Sequence, residues 1–199
     1  VPAILCIKRR YTKRQNLIFS GGRQIIMTET NEICWLPPII PCENLARWPE
    51  YEDLLYKIFR ADFIDSYPYL FNKKVKIRFH PKFQNREEAF YHVTCKNYST
   101  DSTEREPDLR RSERISWVRA FMENHNCRKN ECLPDCSGIK LWKEPWKSTY
   151  RIHIMLEEEK YVVVAEEREE YCLLITGYYI DYEHSLRKLR QRYERYSRQ

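Results

Sequence analysis

The feature that most constrains this chain is a series of four strand-like segments in its second half. They are GIKLW from Gly138, TYRIHIML from Thr149, KYVVVAEE from Lys160 and YCLLITGYY from Tyr171. The joints at 157–159 and 167–170 are polar and too short for a crossover, so the last three segments are expected as antiparallel neighbours in a meander. The final segment changes character midway. Cys172, Leu173, Leu174 and Ile175 are apolar, whereas Thr176, Gly177, Tyr178 and Tyr179 bring hydroxyls and one glycine. Two readings stand: a half-buried strand running out into surface tyrosines, or a strand end that aims hydroxyls at a ligand. In the second, Gly177 admits a phosphate or a backbone at close range.

Ahead of the meander, Tyr51, Leu54, Leu55, Ile58, Phe59 and Phe63 recur at helical spacing, which predicts a helix starting after Pro49. KVKIRFH alternates Val75, Ile77 and Phe79 with Lys74, Lys76 and Arg78 and is expected as a half-buried strand. EAFYHVTCK is expected as its partner strand, with Phe90, His92 and Thr94 on one face and Tyr91, Val93 and Cys95 on the other. A helix follows from Asp108, apolar at Leu109, Ile115, Val118 and Met122 and cationic at Arg110, Arg111, Arg114 and Arg119. The last segment, HSLRKLRQRYERYSRQ, spaces Leu186, Leu189, Tyr193 and Tyr196 as one helical stripe. The expected class is α+β, with N-terminal helices, an antiparallel meander and a basic C-terminal helix.

The proline-rich and basic stretch 1–47 reads as an irregular arm, and 48–199 as a single domain carrying a cysteine-rich insert at 125–137. Gly21, Gly22 and Arg23 precede Met27 at close to the distance at which a purine-rich ribosome-binding site precedes a bacterial start codon. Met27 is therefore expected as the biological start, and 1–26 as translated upstream sequence.

A net charge of +6, from 35 basic and 29 acidic residues, leans towards a polyanionic partner. No apolar run approaches the roughly 20 residues of a membrane helix, so a soluble cytoplasmic protein without membrane contact is expected. The eight cysteines are expected as reduced thiols, because disulfide scaffolds are short secreted chains. In HNCRKNECLPDC, Cys127, Cys132 and Cys136 fall beside His125. One loop can fold three thiolates and an imidazole onto a structural zinc, although the spacing differs from paired CxxC knuckles. A merely cysteine-rich loop is the alternative.

Among the five histidines, His80 and His184 are expected at exposed or capping positions, and His153 on the face of its strand away from Ile152 and Ile154. His92 lies in an aromatic context next to Thr94. It is either a core histidine or a proton-transfer group, since imidazole titrates near neutrality. Arg110 and Arg114 stand at i and i+4 with Arg111 and Glu113 beside them, a spacing at which guanidinium groups bracket a phosphate or make internal pairs with glutamate.

VKIRFHP, FYHVT, PDLRRSERISW, KYVVVAEER and YCLLITGYYIDYEHSLRKLRQRYE, in that order, resemble phage- and mobile-element-associated proteins of the barnase, EndoU, colicin and RelE-like (BECR) nuclease group. The resemblance spans 48–196 as a dispersed pattern; the cysteine loop departs from it. It implies a barnase- or RelE-like fold and a toxin-like endoribonuclease that cleaves RNA by 2'-hydroxyl attack, without metal or other cofactor. His92 then serves as acid or base, Arg110, Arg111 and Arg168 supply charge, and Thr176 and Tyr179 orient the phosphate. The second proton-transfer group is Glu113 or Tyr179. Arg114 and the C-terminal Arg187, Lys188, Arg190, Arg192 and Arg195 are expected to bind RNA backbone. An antitoxin, an immunity protein or a phage protein is the implied restraining partner. A nucleic-acid-binding module without chemistry, and a structural or interaction protein of a phage, are the competing readings.

Overall fold

The computed structural model describes residues 35–96, 106–130 and 136–197. The proposed start Met27, the segment before it, and Cys132 lie outside the described residues. The fold is α+β, with helices N-terminal to most of a curled six-stranded sheet. Residues 35–47 run irregularly along the first helices, apart from a 3-10 turn at Leu45–Arg47. Trp35 packs its ring against Phe121 at 5.4 Å, and Trp117 Nε1 donates to the Pro37 carbonyl at 2.7 Å.

Helix α1 (Trp48–Phe63) carries Pro49 in its first turn, where no intrahelical N–H is needed. Tyr51, Leu55, Phe59 and Phe63, each four residues from the next, form its buried stripe, while Leu54 stays exposed. Strands β1 (Tyr69–Leu70) and β2 (Lys73–Lys76) form a hairpin. Its two loop residues, Phe71 and Asn72, both have positive φ (52° and 63°), as a two-residue turn matched to strand twist requires. The predicted KVKIRFH strand stops at Lys76.

EAFYHVTCK forms helix α2 (Glu88–Thr94), which corrects the expected second strand. Its apolar residues do not alternate with polar ones: Ala89, Phe90, Tyr91 and Val93 are all buried, and a fully buried run carries no period-2 signal to separate helix from strand. After α2 come β3 (Cys95–Lys96) and its antiparallel partner β4 (Glu106–Pro107). The helix expected from Asp108 is split into α3 (Leu109–Ser112), capped by the Asp108 side chain, and α4 (Ile115–Glu123). The meander strands are β5 (Lys140–Trp146), β6 (Thr149–Leu156), β7 (Tyr161–Glu167) and β8 (Tyr171–Tyr179), followed by α5 (Glu183–Tyr196).

Strand order is β1-β2-β8-β7-β6-β5. From β5 to β8 neighbours are antiparallel, but β2 joins β8 in parallel, so the sheet is mixed and the expectation of a wholly antiparallel one is corrected. The chain between β2 and β8 is long enough for the crossover that a parallel pair needs. A bulge between β7 and β8 opposes Ala165 to Leu174 and Val164 to Thr176, leaving Ile175 as the extra residue. Side-chain direction along β8 shifts there.

Each face of the sheet carries a core. On the first, α1, α2 and α4 bring Leu55, Phe59, Phe90 and Phe121 onto Ile154, Val163 and Leu174. At roughly 1.5–3 kcal/mol per buried large apolar side chain, this larger core dominates the stabilisation. On the second face, Leu186 and Leu189 of α5 cover Trp142, Met155, Val162 and Val164. His153 lies on this side, stacked 4.8 Å from the Trp142 ring with Nε2 2.6 Å from Glu144 Oε1. Burial pulls its pKa down to about 4. Among the described residues no helix is long and apolar enough to cross a membrane.

Candidate functional site

Strand β8 is longer than the partner on its outer side. The parallel ladder ends at Lys76 opposite Leu173, so residues 174–179 lose their strand neighbour there. Helices α2 and α3 occupy the gap and pack on β8. The carbonyls at the end of α2, which have no partner within the helix, are satisfied across the gap. Thr176 Oγ1 donates to the His92 carbonyl at 2.7 Å, and Arg111 Nη1 donates to the Cys95 carbonyl at 2.8 Å and to that of His92 at 3.4 Å.

Asp108 organises the opposite wall. Its carboxylate accepts from the Arg111 backbone N–H at 3.2 Å and lies 3.6 Å from both Arg111 Nε and Lys96 Nζ. Between these walls opens a cleft of about 330 Å³ lined by His92, Cys95, Lys96, Arg111, Ile175, Thr176 and Tyr178. His92 Nε2 is 3.2 Å from Glu88 Oε1, one helical turn earlier, which orients the ring. The Arg111 guanidinium lies over the Tyr178 ring at 5.6 Å. Burial pushes the Tyr178 phenol pKa up, so it keeps its proton at neutral pH and is available as a hydrogen-bond donor.

Of the residues expected at one site, His92, Arg111 and Thr176 come together. Tyr179 does not join them, because the bulge sends it to the first face of the sheet, where its ring lies 4.7 Å from the Arg110 guanidinium and 5.0 Å from that of Arg114. Arg110 also pairs with Asp181 at 3.0 Å, and Arg114 with Glu113 at 3.6 Å. The Glu113 carbonyl accepts from the Ile40 N–H at 2.8 Å, and the Ile40 carbonyl accepts from the Tyr51 hydroxyl of α1 at 2.6 Å, so Glu113 stands beside the N-terminal segment and is not among the residues that line the cleft. Arg168 occupies the β7–β8 turn and pairs with Glu166 at 2.7 Å. Its neighbour Tyr171 is five residues from Thr176, roughly 17 Å along the strand.

Gly177 has a different role from the one expected. A Cβ there would stand 2.7 Å from Tyr161 Oη and 3.0 Å from Val118 Cγ2, so the glycine makes room for a core tyrosine and not for a ligand. The C-terminal cations divide as well. Arg192 grips Glu144 with Nε at 3.0 Å, and Arg190 pairs with Glu157 at 2.6 Å and Glu183 at 3.2 Å, so these two pin α5 to its surroundings. Arg187, Lys188 and Arg195 are exposed, with no carboxylate at ion-pair distance among the described residues.

In the cysteine loop, His125 Nδ1 faces the Met122 carbonyl at 2.7 Å and its ring packs against Phe71. Cys127 is half-buried and Cys136 buried, while Cys132 falls outside the described residues. Among the described residues no group of three His, Cys, Asp or Glu is gathered for a metal.

Glu88 and Lys96 went unnoticed in the sequence, and Tyr178 was read only as one of the hydroxyls at the strand end. Glu88 and His92 are i and i+4, a signal visible only once the segment is taken as a helix. Tyr178 joins the cleft through the bulge, which no local pattern announces. Comparison with protein-family models, curated proteins and solved structures finds no match to this chain.

Proposed function

We propose that the cleft between α2, α3 and β8 binds an RNA phosphodiester and cleaves it without metal. The observation that carries this reading is the convergence of an imidazole braced by a carboxylate, two cations and two hydroxyl groups on one open cleft. Metal-free cleavage requires this set of groups: a proton acceptor for the 2'-hydroxyl, a proton donor for the leaving oxygen, and positive charge for the phosphorane. The 2'-hydroxyl proton passes to His92 as the P–O2' bond forms. As the P–O5' bond breaks, the departing oxygen takes a proton from the imidazolium or the Lys96 ammonium. Arg111 and Lys96 hold the phosphoryl oxygens, and Tyr178 donates a hydrogen bond. Glu88 is a positioning residue that acts through His92.

The resemblance to the BECR group supports the same chemistry and a barnase- or RelE-like ancestry for the fold. It also suggests a mobile-element toxin restrained by a partner protein. Arg111 and Thr176 carry a second assignment, as caps on the end of α2, so replacing either mixes chemistry with stability. His92→Gln is the cleaner test. Purified protein incubated with a pool of tRNA, mRNA and rRNA in EDTA should yield 2',3'-cyclic phosphate ends. His92→Gln should lower the rate by roughly 10²- to 10⁴-fold with an unchanged melting temperature. Glu88→Gln should lower it less and displace the pH–rate profile. Cleavage at full rate by His92→Gln refutes the assignment. Salt-dependent RNA binding without cleavage leaves a binding module, and absence of both leaves an interaction protein.

A further inference from the structure

The second face of the sheet is only partly covered by α5. Its docking core ends at Ile175 and Tyr178 of β8 and does not reach β1 or β2. Strand alternation places Tyr69, Lys74, Lys76, Tyr171 and Leu173 on this uncovered part, since their neighbours Leu70, Val75, Cys172 and Leu174 are in the first core. Tyr67 joins them, 5.7 Å from the Tyr69 ring. Tyr67 and Tyr69 are 43% and 50% exposed, far more than tyrosines that serve packing alone.

Two lysines are interleaved with the rings. Lys74 Nζ lies 4.3 Å from the Tyr67 ring centre, and Lys76 Nζ 4.3 Å from that of Tyr171. Neither has a carboxylate at ion-pair distance among the described residues, whereas the adjacent Lys73 is paired with Glu167 at 3.3 Å. Glu166, opposite Leu173 on the same face, is already held by Arg168 and by Thr149 at 2.9 Å. Lysines guarding a sheet edge against aggregation explain the charge. They do not explain why the rings of Tyr67 and Tyr69 are left exposed beside them, with the half-buried Tyr171 next in line.

We propose that this strip is a docking track for single-stranded RNA, with bases stacked on Tyr67, Tyr69 and Tyr171 and backbone phosphates on Lys74 and Lys76. The track leads into the cleft: Tyr171, Leu173 and Ile175 follow one another along β8, roughly 13 Å from first to last, and Ile175 lines the cleft wall. A base presents its flat face to a ring only when it is unstacked, so the surface selects single strands over duplex. The inference deepens and rests on the reading of the cleft as the cleavage site, and identifies its substrate class.

The test uses the full chain and a fluorescent 2'-O-methyl oligoribonucleotide, which cannot be attacked by its own 2'-oxygen, offered as a single strand and as a duplex of the same sequence. Single-strand affinity should exceed duplex affinity. It should fall roughly 5- to 150-fold for each of Tyr69→Leu and Tyr171→Leu, which keep apolar bulk, and hold for Tyr69→Phe and Tyr171→Phe. Replacing Lys74 and Lys76 with Ser should lessen the slope of log affinity against log salt by about 1.4. Equal affinity for duplex, or unchanged single-strand affinity in both leucine variants, overturns the proposal. Displacement of the oligonucleotide by polyglutamate as readily as by unlabelled RNA overturns it too. A wild-type protein that cleaves RNA while the leucine variants bind normally refutes the track and spares the cleft. One that binds single strands through the rings yet never cleaves spares the track and refutes the cleft.

Discussion

Gly177→Ala separates packing from ligand access at the one glycine of β8. The added Cβ would approach Tyr161 Oη to 2.7 Å and Val118 Cγ2 to 3.0 Å, both closer than ordinary van der Waals contact. Tyr161 is fully buried, its ring held edge-on between Trp117 (5.4 Å) and Phe121 (5.3 Å), so it has little freedom to withdraw. Overpacking of this kind costs about 1–3 kcal/mol. For a chain of this length that is about 2–12 °C in melting temperature. Tyr161→Phe removes the closer obstacle and leaves the ring carbon Cζ at 3.4 Å. The hydroxyl finds no hydrogen-bond partner among the described residues, so Tyr161→Phe alone should be neutral or stabilising. The double variant should then recover most of the loss, a coupling of at least about 1 kcal/mol in a double-mutant cycle read by thermal melting or urea denaturation. Additive effects, or a Gly177→Ala protein that melts with the wild type, would refute the packing argument and restore the idea that the glycine admits a ligand.

Three further outcomes are expected. Replacing Arg187, Lys188 and Arg195 of α5 with Ser should lessen the salt slope of single-strand RNA binding by about 2 at constant melting temperature. Arg192→Ser should instead cost of order 1 kcal/mol of stability, because Glu144 loses a partner only partly screened by solvent. Two desolvated groups, the buried His153 and the half-buried Asp62, set opposing pH dependences. His153, held near 4 in the fold, contributes stability that is full above its ordinary value of about 6.5 and is lost as pH falls through 4. Asp62, pushed up to about 6 by burial, contributes stability that is full below its ordinary 3.8 and is lost as pH rises through 6. Denaturant titrations should therefore show His153→Gln gaining on wild type as pH falls from 6.5 to 4. Asp62→Asn should gain on wild type as pH rises from 4 to 6, each by up to about 3 kcal/mol.

The meander and both long helices were legible because each keeps one face buried and repeats its period. Leu186 and Leu189 or Leu55 and Phe59 reveal a helix, and short polar joints at 157–159 and 167–170 reveal antiparallel partners. The segment around His92 was not legible, since nearly every residue of α2 is buried and period carries no information there. Its misassignment hid Glu88 and placed His92 in the sheet. The parallel junction of β2 with β8 depends on contacts almost a hundred residues apart in sequence, which no local pattern encodes. Tyr179 and Arg168 were misplaced for a related reason. One extra residue in the bulge redirects the strand end, and a strand nine residues long carries its two ends too far apart to serve one phosphate.

The hydroxyls at the end of β8 follow from that same geometry. A strand that outlasts its neighbour exposes backbone groups that must find partners, and hydrophobic side chains cannot supply them. Here the gap is closed by the end of a helix, where the His92 and Cys95 carbonyls accept from the side chains of Thr176 and Arg111. A junction bridged by polar side chains cannot pack as tightly as a continued ladder. It leaves a cleft whose walls are a hydroxyl, a guanidinium and the histidine on the last turn of α2. If the cleft were merely a packing defect, an apolar replacement that also filled it would be tolerated. Thr176→Val removes the 2.7 Å bond to the His92 carbonyl at nearly constant volume, and should cost about 1–3 kcal/mol by leaving that acceptor, among the described residues, with the longer contact from Arg111. The same substitution should lower RNA cleavage further than the stability loss accounts for, because the carbonyl it frees belongs to the residue that carries the proton. Cleavage that falls only in proportion to the folded fraction, measured across a urea series, would mean that Thr176 serves the junction and nothing else.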